Sequence, residues 1–126
     1  MGYVHAEIKL KNPRLPELKP LAVKAMVDTG ALMLYIPEHI ALQLELKSDN
    51  QREVTTADGR KQMVPYVGPI EVLFENRNCY VGALLLGDEV LLGAVPMEDM
   101  DLIISPAQRK LVVNPESPNF PHALVK

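Results

Sequence analysis

The chain has a single cysteine, Cys79, in 126 residues. It therefore cannot close an internal disulfide, and it has no C-x-x-C companion to make a zinc or redox site. A lone cysteine of this kind is read as a small buried hydrophobe. Histidine is scarce as well: His5, His39 and His122 stand far apart, without the paired spacing of metal ligands. Excess charge of one sign is missing. The formal net charge is -3, and Lys and Arg form no dense patch, so the electrostatic footprint of a nucleic-acid binder is absent. The longest apolar stretches, Val81 to Leu86 and Val90 to Val95, are split by Asp88 and Glu89 and fall short of a membrane span. The first twenty residues carry Glu7, Lys9, Lys11 and three prolines, which is not the apolar run of a secretory signal. No Gly-rich phosphate loop precedes a helical pattern, and Ser48, Ser105 and Ser117 lie in no nucleophile-elbow context. Glu98, Asp99 and Asp101 cluster without the Gly and Asn spacing of a calcium loop and read as a solvated helix start. These absences predict a soluble cytoplasmic protein with no membrane or nucleic-acid partner, no metal and no other cofactor.

What is present is an ordinary globular balance, 48% apolar and 23% charged, at a length that suits one domain with its own core. Tyr3 to Lys11 alternates Val4, Ala6, Ile8 and Leu10 against polar neighbours, the period of a half-buried strand. Pro-rich Asn12 to Pro20 breaks it. Leu21 to Val27 reads as a second strand, apolar except at Lys24, as if covered on both faces. Leu32 to Ile36 is a third. Pro37 then opens a short helix through about Leu44, and Lys47 to Gln51 reads as a polar loop. Two hairpins follow, Glu53 to Val67 turning at Asp58-Gly59 and Pro69 to Leu86 turning at Asn76-Arg77-Asn78. After a strand at Val90 to Leu92, Pro96 to Met100 makes about one helical turn, with Glu98 and Asp99 early, where the macrodipole favours acids. Leu102 to Ile104 and Leu111 to Val113 are short strands. Beyond Asn114 the tail holds Pro115, Pro118 and Pro121 and is expected to be extended and partly mobile. The reading is one mostly-β domain over residues 1–114 with one or two small helices, then a Pro-rich tail, 115–126.

The most specific feature is Asp28-Thr29-Gly30 at the end of the apolar strand Ala25-Met26-Val27. Alone it is compatible with a tight turn in which the aspartate bonds its own backbone. Its surroundings add to it: Ala31, apolar Leu32 to Ile36, a short helix, a hairpin, and then Leu91-Leu92-Gly93 before another helical turn. In that order the chain resembles the retropepsin-like aspartic peptidases from about Tyr3 to Asn114. The resemblance implies a closed β-barrel or sandwich subunit and assigns Asp28 as the catalytic aspartate. Thr29 becomes the hydroxyl that ties two active-site loops together, and Gly30 the glycine that lets substrate backbone approach. It implies a flap tip over Ala57 to Arg60, with Leu91, Leu92 and Gly93 as supports beneath the loop. Ala31, Leu32, Ala57, Asp58, Gly59 and Leu92 are the substrate-binding residues so implied. For Asp58-Gly59 an ordinary hairpin turn accounts for the residues equally well.

Two departures stand out. Leu32 and Met33 occupy positions where retroviral enzymes carry acids, and Ala94 replaces a polar residue after the second glycine, so the loop must be anchored differently. Where pepsin-like relatives carry Ser or Thr after the glycine, Ala31 has no hydroxyl to stabilise an ionised carboxylate, which predicts activity at mildly rather than strongly acidic pH.

Water-mediated peptide hydrolysis needs a base and an acid together. This chain has one Asp-Thr-Gly, so the second carboxyl must come from a twofold-related copy. The expected function is that of a homodimeric aspartic endopeptidase acting on peptides or unfolded protein. The alternative is a non-catalytic dimeric peptide-binding or assembly module on the same fold.

Overall fold

The computed structural model describes residues 3–125. Strands β1 (Val4–Lys11) and β2 (Leu21–Val27) form an antiparallel pair, Val4 opposite Val27 and Leu10 opposite Leu21. β3 (Leu34–Ile36) leads into helix α1 (Glu38–Gln43), for which Pro37 serves as the N-cap. β4 (Ser48–Thr55) and the 14-residue β5 (Lys61–Phe74) make a long hairpin, and β6 (Arg77–Leu85) returns along β5. β7 (Val90–Leu92), α2 (Ala94–Asp99) and the ribbon of β8 (Leu102–Ser105) with β9 (Lys110–Val113) complete the chain.

Six strands close into a barrel in the order β1-β2-β7-β3-β6-β5, with β5 pairing back onto β1. Ile8, Leu10, Leu34, Ile36, Ile70, Val72 and Leu92 fill its interior with almost no exposed surface, the main source of stability for a domain of this size. The fold is mostly β with two short helices, consistent with a retropepsin-like subunit.

Several sequence expectations shift. Ser48 to Gln51, expected in a loop, lies in β4, whose residues are nearly all exposed. With neither face on the core, the strand carries no apolar alternation to reveal it. β2 is buried on one face only: Ala25 and Val27 are buried and Leu21 and Val23 half-buried, whereas on the other face Ala22 and Lys24 are exposed and Met26 is half-buried. The second hairpin turns at Glu75-Asn76, since Phe74 pairs with Arg77, and Arg77 is drawn into β6 with only 2% exposure. Helix α2 begins at Ala94, so Glu98 and Asp99 fall in its last turn, at the end of the macrodipole that disfavours acids. The tail is strapped to its own barrel. Asn76 Nδ2 donates to Pro118 O at 3.0 Å, Arg77 Nη2 donates to Ser117 O, and the Asp101 carboxylate accepts from the Ser117 hydroxyl and from His122 N.

Candidate active site

β2 runs into the barrel wall and stops at Asp28, whose N–H continues the ladder by donating to Leu92 O on β7 at 3.0 Å. The chain then turns back: Ala31 N donates to Asp28 O at 3.1 Å, and Gly30 N donates to Asp28 Oδ1 at 2.9 Å. This Asx-type bond aims the carboxylate across the turn. A Cβ at position 30 would lie 3.2 Å from Asp28 Oδ1, so the glycine keeps that bond free of crowding. Asp28 is half-buried, Thr29 and Gly30 are exposed, and Leu32 is 61% exposed. The loop therefore leaves a hydroxyl and an apolar side chain exposed close in sequence to a half-buried carboxylate.

Gly93 holds the loop from beneath. A Cβ there would overlap Met33 O and come within 2.7 Å of Ala31 O, so no other residue permits this approach. The close packing lets α2 use the loop as its cap. Ala94 N donates to Ala31 O and Val95 N to Leu32 O, each at 2.8 Å, while Pro96 at the third position has no N–H to satisfy. The first turn of a helix normally leaves such donors orphaned. Here the loop takes them, so main-chain bonds supply the anchoring for which Ala94 has no side chain.

Leu92 needs correction as a substrate-binding residue. Its side chain has no exposed surface, so its contribution is the carbonyl that receives Asp28 N. Ala57, Asp58 and Gly59 sit at the tip of the β4–β5 hairpin, in a separate part of the chain from the Asp28 loop. Thr56 N donates to Arg60 O and Gly59 N to Thr56 O, both at 2.8 Å, with Gly59 at φ +86°. The Asp58 carboxylate is committed to the turn. It accepts from the Thr56 hydroxyl, from Arg60 N at 3.1 Å and from Arg60 Nε at 2.8 Å, and the Thr56 bond foremost holds it below the usual carboxylate range.

The gag-polyprotein aspartyl protease family matches residues 19–99, more than half of the chain. The chain belongs to this family. The match spans every feature just described, from β2 and the Asp28 loop through the hairpin to Gly93 and α2. An aspartyl protease domain of this kind supports a general aspartic protease function. No curated protein matches the chain. The β8–β9 ribbon and the tail lie beyond the stretch that matches the aspartyl protease family.

Ala94 and Val95 are the supports that sequence reading missed. They act through main-chain atoms, which leave no residue signature apart from the glycine before them. Among the described residues, no cluster of three or more His, Cys, Asp or Glu is arranged to hold a metal ion, and no helix is long and apolar enough to cross a membrane.

Proposed function

We propose that the protein is a homodimeric aspartic endopeptidase in which the Asp28 carboxyls of two copies share one proton and activate a water between them. The observation that carries this reading is the Asp28-Thr29-Gly30 loop, with Asp28 half-buried and Thr29 and Gly30 exposed, which is braced by Leu92 and Gly93 and bears a single carboxylate per chain. At about 4 Å, two carboxylate charges repel by roughly 4 kcal/mol at an effective dielectric of about 20. One proton is therefore retained by the pair, behaviour for which aspartic proteases are the standard case.

The ionised member takes a proton from water as the oxygen attacks the peptide carbonyl, and the protonated member gives its proton to the carbonyl oxygen. A tetrahedral diol forms without an acyl-enzyme. In this reading the Thr29 hydroxyls cross-link the two loops, Gly30 admits substrate backbone, and Ala31 and Leu32 line the cleft. The hairpin tips at Ala57, Asp58 and Gly59 cover an extended peptide, which pairs strand-like with the chain. With Asp58 committed to its turn, the contact it offers substrate is through main chain. We assign the catalytic unit to residues 1–114 and the strapped tail to 115–126, and we place the protein in the cytoplasm.

A rival keeps the dimer and the groove but has no turnover. Incubating the purified protein with a mixed peptide library, beside Asp28→Asn, separates the two readings. Cleavage by the parent alone supports the peptidase. Equal peptide binding by both without cleavage supports the binding module. The lack of a donor at Ala31 places the optimum at mildly acidic pH, and a rate maximum below about pH 3 would count against the reading.

A further inference from the structure

Asp101 and the tail lie beyond residues 19–99, the stretch that matches the family. Asp101 N donates to Glu98 O at 3.1 Å and so closes α2, with its backbone in the left-handed region at φ +56°. Glycine takes that conformation freely at a helix end, whereas an aspartate is held in it by hydrogen bonds. Here they come from the end of β9 and from the tail. Asn114 N donates to Asp101 O at 3.1 Å, and the Asp101 carboxylate accepts from Asn114 Nδ2 at 3.1 Å, from the Ser117 hydroxyl and from His122 N at 2.9 Å.

Between this node and the Asp28 loop stands only α2. The helix has six residues, a length of about 9 Å at 1.5 Å per residue, and Met97 and Met100 seat one face of it in the core. It is too short and too closely packed to bend. Its first donors, Ala94 N and Val95 N, end on the carbonyls of Ala31 and Leu32, so a displacement at Asp101 is carried to the turn that bears Asp28.

The tail is held by opposing contributions. Arg77, only 2% exposed, donates through Nη2 to Ser117 O, and its charge acts on Asp101. Its Nε and Nη1 meet no acceptor among the described residues, and a buried cation short of partners costs stability. The bonds at Asp101 favour the docked tail and the underpartnered guanidinium opposes it, which is the balance of a two-state element.

Resting on the peptidase reading above, we infer that the docked tail is a brace for the Asp28 loop, with Asp101 as its positioning residue, so that undocking residues 114–122 loosens the Ala94 and Val95 bonds and lowers turnover.

Three full-length variants test this. Asp101→Gly suits the left-handed backbone, and so keeps the helix end, but deletes the clamp. Ser117→Ala removes one bond of the clamp, and Ser117→Thr keeps that hydroxyl. In the first two, His122 is expected to lose amide-exchange protection, measured against the intrinsic rate, and Ala94 and Val95 to lose at least about threefold with it. Asp28 N, in the barrel wall, keeps its own protection. For a peptide that the parent cleaves, kcat falls at least about threefold with KM unchanged, the signature of lost orientation and not of lost substrate affinity. Ser117→Thr behaves as the parent. Unchanged protection of Ala94 and Val95 in a variant whose His122 has become unprotected overturns the brace. Parental kcat in Asp101→Gly and Ser117→Ala does so too, as does a tail still protected at His122 in both. A parent that cleaves no peptide, with the exchange pattern as expected, overturns the peptidase reading and leaves the mechanical coupling standing.

Discussion

Gly93 faces the carbonyl of Ala31 so closely that even a methyl group at position 93 would approach that oxygen to 2.7 Å. The glycine is thus the floor on which the Asp28 loop rests, and the loop in turn caps α2.

Gly93→Ala is therefore expected to push the loop outward and lose the Ala94 and Val95 bonds. Overpacking of this kind costs about 1–3 kcal/mol, and the displaced Asp28 is expected to abolish peptide cleavage. Urea unfolding together with the peptide assay checks both; an active variant of parental stability would show that the contact is dispensable.

Asn12 fastens the Pro-rich segment after β1 to the end of α1. It is 5% exposed, donates from Nδ2 to Leu44 O at 2.8 Å and accepts from Arg14 N at 2.9 Å. Asn12→Ala leaves a buried carbonyl and an N–H without partners, a loss of about 1–3 kcal/mol. The expected result is a lower urea midpoint with an unchanged slope.

Asp101 ties down the tail, and its carboxyl is held down to about 2 from an ordinary 3.8. The Ser117 hydroxyl contributes most, then the Asn114 amide and His122 N–H, with the Arg77 charge adding to them. Because the folded value is depressed, this stabilisation is fully present above about pH 4 and is lost as pH falls towards 2. The protection of the His122 amide, its exchange rate set against the intrinsic rate at each pH, is expected to fall across that window, while Asp101→Asn starts less protected at neutral pH and shows no such step. A His122 amide whose exchange protection is unchanged by the substitution removes Asp101 from the account.

Burial foremost, then the charges of Asp99 and Glu71, pushes the Cys79 thiol up to about 12. Only the thiolate reacts readily, so the folded protein is expected to resist alkylation at pH 8 and to react once unfolded in urea. Equal labelling rates in the two states would contradict the buried placement.

Where side-chain pattern and core face coincide, the sequence was readable. The alternation of β1 predicted Ile8 and Leu10 as interior residues, and the apolar run into Asp28-Thr29-Gly30 located the candidate site at a strand end. The Ser48–Gln51 segment was missed because a strand of the outlying β4–β5 hairpin touches no core and need not alternate. The onset of α2 was misplaced because its first donors are satisfied by Ala31 and Leu32, residues more than sixty positions earlier.

Local chemistry alone thus determined the mostly-β class, the retropepsin-like order of motifs and the one aspartate per chain, since each depends on residue type and short-range spacing. Tertiary structure decided that Leu92 works through its carbonyl, that the carbonyls of Ala31 and Leu32 cap α2, and that Arg77 is buried beneath the tail. Those outcomes depend on which main-chain groups meet after the barrel closes. Backbone amides and carbonyls are the same at nearly every position, so no residue code announces their partners.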